Sequence, residues 1–169
     1  DTANREQLAQ LQHGSTVRQV SFNPSGDYLA TTDYGGVIRL WRADGGHEHQ
    51  QMQHDGIVRA MRFSPNGRYL ASAGADQTAR LWHIESAREL LRMTHDETVN
   101  TLVFSPDGKY LLSASDDHTA RLWLLDDSGP NTYHFEHTGG VKAVHFSSNG
   151  QHLITAGTDA KTNIWQIDR

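Results

Sequence analysis

The chain has 169 residues, 36% of them hydrophobic, with no cysteine and a formal net charge of −5. The lack of cysteine excludes disulfides, thiolate catalysis and Cys-type zinc sites, and makes a reducing cytoplasm the expected compartment. The acidic, interspersed charge disfavours a generic nucleic-acid or anionic-membrane binder, and no apolar stretch approaches the ~18 residues that span a bilayer.

In chain order, no signal-peptide pattern opens the sequence, which starts at Asp1 rather than Met, as an excerpt of a longer chain would. Glu6 to Leu11 reads as a strand. His13 then begins a phrase that runs through Val17, Val20 and Phe22 to a Pro24-Ser25-Gly26 turn, and closes at Trp41. His54, His95 and His137 begin three more copies, which keep Phe63, Phe104 and Phe146 in register and close at Trp82, Trp123 and Trp165. The period is 41, 41 and then 42 residues. Self-similarity of this length means stacked supersecondary units, none able to bury its apolar face alone. With no linker or low-complexity run, residues 1–169 are expected to form one domain, with repeats at about 8–49, 50–90, 91–132 and 133–169.

Within a copy the apolar pattern is short and mostly of period two, which predicts strands. In the third copy Val99, Leu102 and Phe104 mark a first strand, Ser105-Pro106-Asp107-Gly108 a turn, and Tyr110 to Ser115 a second strand. Asp116-Asp117-His118 turns the chain into a third strand, Thr119 to Leu124, and the linkers hold a more polar fourth, such as Glu89 to Met93. No helical periodicity competes, so the expected class is all-β. In the first strand Val17 and Val20, Val58 and Met61, Val99 and Leu102, and Val141 and Val144 are three apart rather than two. That slip predicts a β-bulge at Arg18, Arg59, Asn100 and Lys142.

Four short strands per copy with a tryptophan closing the third resemble the blades of the WD-repeat β-propeller family, over essentially the whole chain. The Thr-Ala-Arg-Leu-Trp runs at 78–82 and 119–123 are similar to those of bacterial members. Two family emblems are absent, since no closing Trp is followed by Asp and no Gly precedes the leading His. The resemblance implies four blades of four antiparallel strands each. It also implies rings of roughly seven or eight blades, so four blades leave three arrangements open. Two chains completing an eight-blade ring is favoured, with the strand from Glu6 to Leu11 supplying the outer strand that the last blade lacks. A longer parent chain and a self-closed four-blade ring are the alternatives.

His, Ser and Asp recur at fixed spacing, in a pattern that a serine hydrolase would also need. The sets are His54, Ser72, Asp76 and Trp82; His95, Ser113, Asp117 and Trp123; and His137, Thr155, Asp159 and Trp165. Catalysis needs one site with an oxyanion hole, whereas repeated copies serve packing. The resemblance implies that each set is a structural hydrogen-bond network, and no enzyme activity is expected. The first copy keeps His13, Thr31 and Trp41 but has Gly35 in place of the Asp, with Asp33 two residues earlier as an uncertain substitute. That blade is expected to be the least stable.

No metal site or cofactor is expected. His47-Glu48-His49 reads as an exposed polar loop, and Asp126 to Pro130 as a solvated inserted turn. The resemblance places the bulge residues Arg18, Arg59, Asn100 and Lys142, with Tyr34, Ala75, Asp116 and Thr158, on the top face around the central channel, where peptides dock. The expected function is a protein- or peptide-binding scaffold or sensor platform, with acidic or phosphorylated peptides as partners. Polyanion binding through the basic positions is one alternative, and a self-assembly module of a larger bacterial signalling or effector protein is another.

Overall fold

A computed structural model of the chain describes residues 7–125 and 132–167. Among these residues fifteen strands form four antiparallel sheets in chain order, and there is no helix. The first sheet holds β1 (Val17–Phe22), β2 (Tyr28–Asp33), β3 (Val37–Arg42) and β4 (Glu48–Gln53). The second holds β5 (Val58–Phe63), β6 (Tyr69–Gly74), β7 (Thr78–His83) and β8 (Glu89–Thr94). The third holds β9 (Val99–Phe104), β10 (Tyr110–Ser115), β11 (Thr119–Leu124) and β12 (Thr132–Glu136). The fourth has only β13 (Val141–Phe146), β14 (His152–Gly157) and β15 (Thr162–Gln166). Each sheet is a meander in which every strand pairs with the next in sequence.

The hairpins follow from the turn residues. Gly67 and Gly108 carry φ of +70° and +71° between the first and second strands of their sheets, a conformation that costs glycine nothing and an L-residue about 1 kcal/mol. The second strands of the two middle sheets are covered on both faces, and their alternation is correspondingly blurred. In β6 Leu70, Ala71, Ser72 and Ala73 are all buried, and in β10 so are Leu111, Leu112, Ser113 and Ala114. Small residues at these positions let neighbouring sheets approach to the ordinary ~10 Å spacing. The outer strands β4 and β8 are polar and bury one apolar residue each, Met52 and Met93.

The core lies between sheets. Ala30, Ile38, Leu40 and Met52 of the first sheet pack with Val58, Met61, Leu70 and Trp82 of the second. Ala71, Ala79, Leu81 and Met93 pack with Val99, Leu102, Phe104 and Trp123, and Leu112, Ala120 and Leu122 with Val141, Val144, Phe146 and Trp165. Truncating one of the fully buried leucines, Leu111→Ala for instance, removes roughly 2–5 kcal/mol of such packing. The first strands stand side by side, β5 between β1 and β9, and β9 between β5 and β13. The four sheets pack in chain order as consecutive propeller blades would and, among the described residues, do not close into a ring.

Two expectations are corrected. His47-Glu48-His49 is not a loop throughout, because β4 begins at Glu48, and His49 lies against the Tyr28 ring at 5.3 Å between centroids. Among the described residues no three His, Asp or Glu side chains converge as a metal site would need. In the single chain Gln7 to Leu11 form no strand: Leu8 is exposed, while Ala9 and Leu11 crowd Gly46. An edge strand needs a neighbour, and no strand among the described residues pairs with that segment. Glu6 and the turn from Asp126 to Pro130 lie outside the described residues.

Candidate functional site

Each sheet holds its hydroxyl and Trp on its second and third strands, with the His on the segment that leads into the first. In the second, Trp82 Nε1–H donates to Ser72 Oγ at 2.8 Å, His54 Nε2 is 2.7 Å from that same oxygen, and His54 Nδ1 is 3.0 Å from Asp76 Oδ2. In the third the distances for Trp123, Ser113, His95 and Asp117 are 2.8, 2.7 and 2.8 Å. In the fourth Trp165 donates to Thr155 at 3.0 Å, with His137 2.7 Å from Thr155 Oγ1 and 3.0 Å from Asp159 Oδ2. In the first, Trp41 donates to Thr31 at 2.9 Å and His13 Nε2 is 2.8 Å from Thr31 Oγ1.

The polarity of the chain can be read in the third sheet. Burial holds the His95 imidazole below its ordinary pKa, against the pull of Asp117. A neutral ring with Nδ1–H directed at Asp117 leaves Nε2 to accept from the Ser113 hydroxyl, whose oxygen takes the Trp123 indole. Burial also works against ionisation of Asp117, but hydrogen bonds from Thr119, the Asp96 amide and His95 outweigh it and lower the carboxyl to about 2. Asp76 is held lower still, and Asp159 at about 2, by the equivalent contacts to His54 and His137 prevailing over burial. A serine hydrolase needs its hydroxyl open to substrate. Ser72 and Ser113 are fully buried beneath tryptophan, a position that suits a structural clasp.

The sequence did not flag the arginines that complete these networks. Arg80 Nη2 donates to Asp76 Oδ2 at 2.6 Å, Nε to Thr78 Oγ1 at 2.9 Å, and Nη1 to the Gln53 carbonyl at the end of β4 at 3.0 Å. Arg121 repeats the pattern with Asp117 at 2.9 Å, Thr119 at 3.2 Å and the Thr94 carbonyl at 2.8 Å. In the first sheet Asp33 takes the carboxylate's place. Its Oδ2 accepts from Arg39 at 2.7 Å and its Oδ1 from the amides of Gly35 and Val37, though it makes no hydrogen bond with His13. In the fourth sheet Asn163 stands where the arginine would be and lies 3.3 Å from His137 Nε2.

The four first strands do bulge where the spacing slips. The register with the second strand shifts between Val17 and Gln19, Val58 and Ala60, and Val141 and Ala143, and between Ala114 and Ser115 opposite Asn100. Arg18, Arg59, Asn100 and Lys142 therefore sit at the end of the sheets that also carries Tyr34, Ala75, Asp116 and Thr158. The Arg18 guanidinium lies 5.6 Å from the Tyr34 ring centre, and the Arg59 carbonyl accepts from Gln19 Nε2 at 2.8 Å. Asn100 Nδ2 donates to Asp116 Oδ1 at 2.8 Å and to the Val141 carbonyl at 3.0 Å, and the Lys142 ammonium donates to the same Asp116 oxygen. Burial opposes ionisation of Asp116, yet the hydrogen bonds from Lys142 and Asn100 prevail and lower its pKa. Of the three cationic bulge residues, Lys142 is thus already paired. Ala75 and Thr158 are exposed and add no charge.

The family model for the WD domain, G-beta repeat, matches residues 5–42, 46–83, 88–123 and 129–166. The chain belongs to that family, whose repeat domains generally serve as protein-interaction scaffolds without chemistry of their own. Among curated proteins none matches the chain.

Proposed function

We propose that this chain is a non-catalytic, cytoplasmic protein-interaction platform that binds acidic or phosphorylated peptides at the sheet end carrying Arg18, Tyr34 and Arg59. One observation supports this above the rest. The His–hydroxyl–Trp positions hold nearly the same residues in every copy, while the bulge positions carry Arg18, Arg59, Asn100 and Lys142 and the turn positions beside them differ in every copy. Constant residues serve the repeat; varied ones on a common scaffold suit a specific ligand. Lys142 is neutralised by Asp116, which leaves Arg18 and Arg59 to attract an anionic side chain, with Tyr34 half exposed as an aromatic floor. The same carboxylate weighs against a polyanion such as nucleic acid, which favours an unbroken basic stripe. Two chains supplying four blades each complete the ring that presents this face.

The test is a peptide array with acidic, phosphorylated and neutral peptides against wild type and an Arg18→Glu, Arg59→Glu variant that retains its fold. Acidic peptides should bind wild type, weaken with salt and lose the variant. Binding indifferent to both reversals would place the partner elsewhere.

A further inference from the structure

Neighbouring sheets meet in one way throughout the chain. A trio on one sheet, Ala30, Ile38 and Leu40 in the first, packs against a Val58, Met61 and Phe63 trio on the next. At repeat-equivalent positions Ala71, Ala79 and Leu81 meet Val99, Leu102 and Phe104, and Leu112, Ala120 and Leu122 meet Val141, Val144 and Phe146. Two further faces carry half of that junction and have no partner among the described residues. On the first sheet these are Val17, Val20 and Phe22, the same Val-Val-Phe set that β13 buries. Val20 is 65% exposed, where Met61, Leu102 and Val144 are 2%, 1% and 8% exposed. On the fourth sheet they are Ile154 and Ile164. Ile164 is 73% exposed, where Leu40, Leu81 and Leu122 are 0%, 4% and 1% exposed.

A gap in strand pairing accompanies each face. The strands β3, β7 and β11 carry β4, β8 and β12 on their outer edges, and each of these outer strands ends at the residue before His54, His95 or His137. Among the described residues Gln7 to Gln12 hold that register before His13 but join no sheet, and β15 has no outer neighbouring strand. The Val17, Val20 and Phe22 face and the unpaired segment lie at one end of the chain; the Ile154 and Ile164 face and the open edge of β15 belong to one sheet.

We propose that two copies of this chain join head to tail. The Val17, Val20 and Phe22 face of one copy seats on the Ile154 and Ile164 face of the other, and Gln7 to Gln12 add to β15 as its fourth strand. One neighbouring sheet then fills both gaps, by a junction that the chain already makes three times within itself. Two copies form two identical junctions and leave no apolar end face in water, whereas open-ended addition would leave one at each end. The junction rests on the two-chain ring proposed above but is tested apart from the peptide site. A pair that binds no acidic peptide would keep the junction and sink only that site.

The measurement is mass in solution by light scattering, for wild type, Val20→Glu and Ile164→Glu. Both substituted residues are exposed in the single chain, so each variant should keep its β-sheet circular dichroism; Val20→Thr and Ile164→Thr serve if it does not. Wild type should run at twice 18.9 kDa, and each variant should weaken association by about tenfold or more. An equal mixture of the two variants has one intact junction and should pair where neither does alone. A monomeric wild type overturns the proposal, as does a pair indifferent to both substitutions or a mixture that fails to pair. Monomeric wild type would mean that blades outside this chain cover both faces.

Discussion

Asp33 accepts a hydrogen bond from Arg39 at 2.7 Å, two residues ahead of the position where the other sheets keep their carboxylate. The pair is enclosed, Asp33 being 1% and Arg39 13% exposed at the side chain. Gly74, Ser115 and Gly157 stand at the equivalents of Asp33, and Asp76, Asp117 and Asp159 at the equivalents of Gly35. A Cβ on Gly35 would lie 3.1 Å from Asp33 Oδ1, so the two positions compete for one carboxylate.

Asp33→Gly should therefore cost roughly 1–3 kcal/mol by leaving Arg39 only its longer contact to Glu48 at 3.6 Å. Gly35→Asp should destabilise as well, by crowding two carboxylates. The double variant restores the pattern of the other sheets and gives His13 an acceptor, so it should recover most of the loss. Urea midpoints for the four proteins measure the coupling. Simple additivity would mean that Asp33 does not stand in for the missing residue.

The period made much of this legible. Turn glycines and strand bounds in the third copy follow from residues that recur at 41 or 42 positions, and the His–hydroxyl–Trp contacts are what the family resemblance implied for those residues. Arg80 and Arg121 were not legible: each lies two residues before a closing Trp, and nothing in its spacing marks the carboxylate and strand end onto which Arg80, 3% exposed, closes. The Asp116–Lys142 pair was not legible, since it joins two sheets and occurs in only one copy. Single-sequence periodicity reports what repeats; contacts peculiar to one junction leave no periodic trace.

Asp117→Ala should destabilise the chain by about 3 kcal/mol, because it strips both His95 and Arg121 of their buried partner. Ser113→Ala should cost less, around 1–3 kcal/mol, by leaving the Trp123 indole and His95 unsatisfied. Chemical denaturation ranks the two, and a panel of ester and peptide substrates tests the hydrolase resemblance directly. A robust activity that vanishes in Ser113→Ala would overturn the structural role.

Acid should unfold the chain in two stages. Burial lowers the folded pKa of His95, so the folded state binds fewer protons than the unfolded chain once the pH drops below the imidazole's ordinary ~6.5. Its contribution is complete above that pH and fades below it. Asp117, lowered to about 2, contributes fully above the ordinary carboxylate value of ~4 and loses that contribution as pH falls toward 2. Urea midpoints at pH 8, 5.5 and 3 should fall in that order. A midpoint unchanged from pH 8 to 5.5 would show that His95 titrates normally in the fold.

Asp116 sets the charge of the proposed peptide face, and a single atom distinguishes its two consequences. Its carboxylate pairs with Lys142 across two sheets, but both side chains are partly exposed, so the pair contributes at most ~1 kcal/mol to stability. Asp116→Asn keeps the side chain's shape and an oxygen for Asn100 to donate to, while releasing the lysine. The variant should melt close to wild type yet bind acidic peptides more tightly, with a steeper loss of affinity as salt is raised. Lys142→Met should do the reverse, leaving the carboxylate uncompensated beside Arg59 and weakening the same peptides. Fluorescence anisotropy with one acidic peptide at two ionic strengths reads both effects. Equal affinities for the three proteins would separate the ligand from this end of the sheets and return Arg18 and Arg59 to the status of solvated rim.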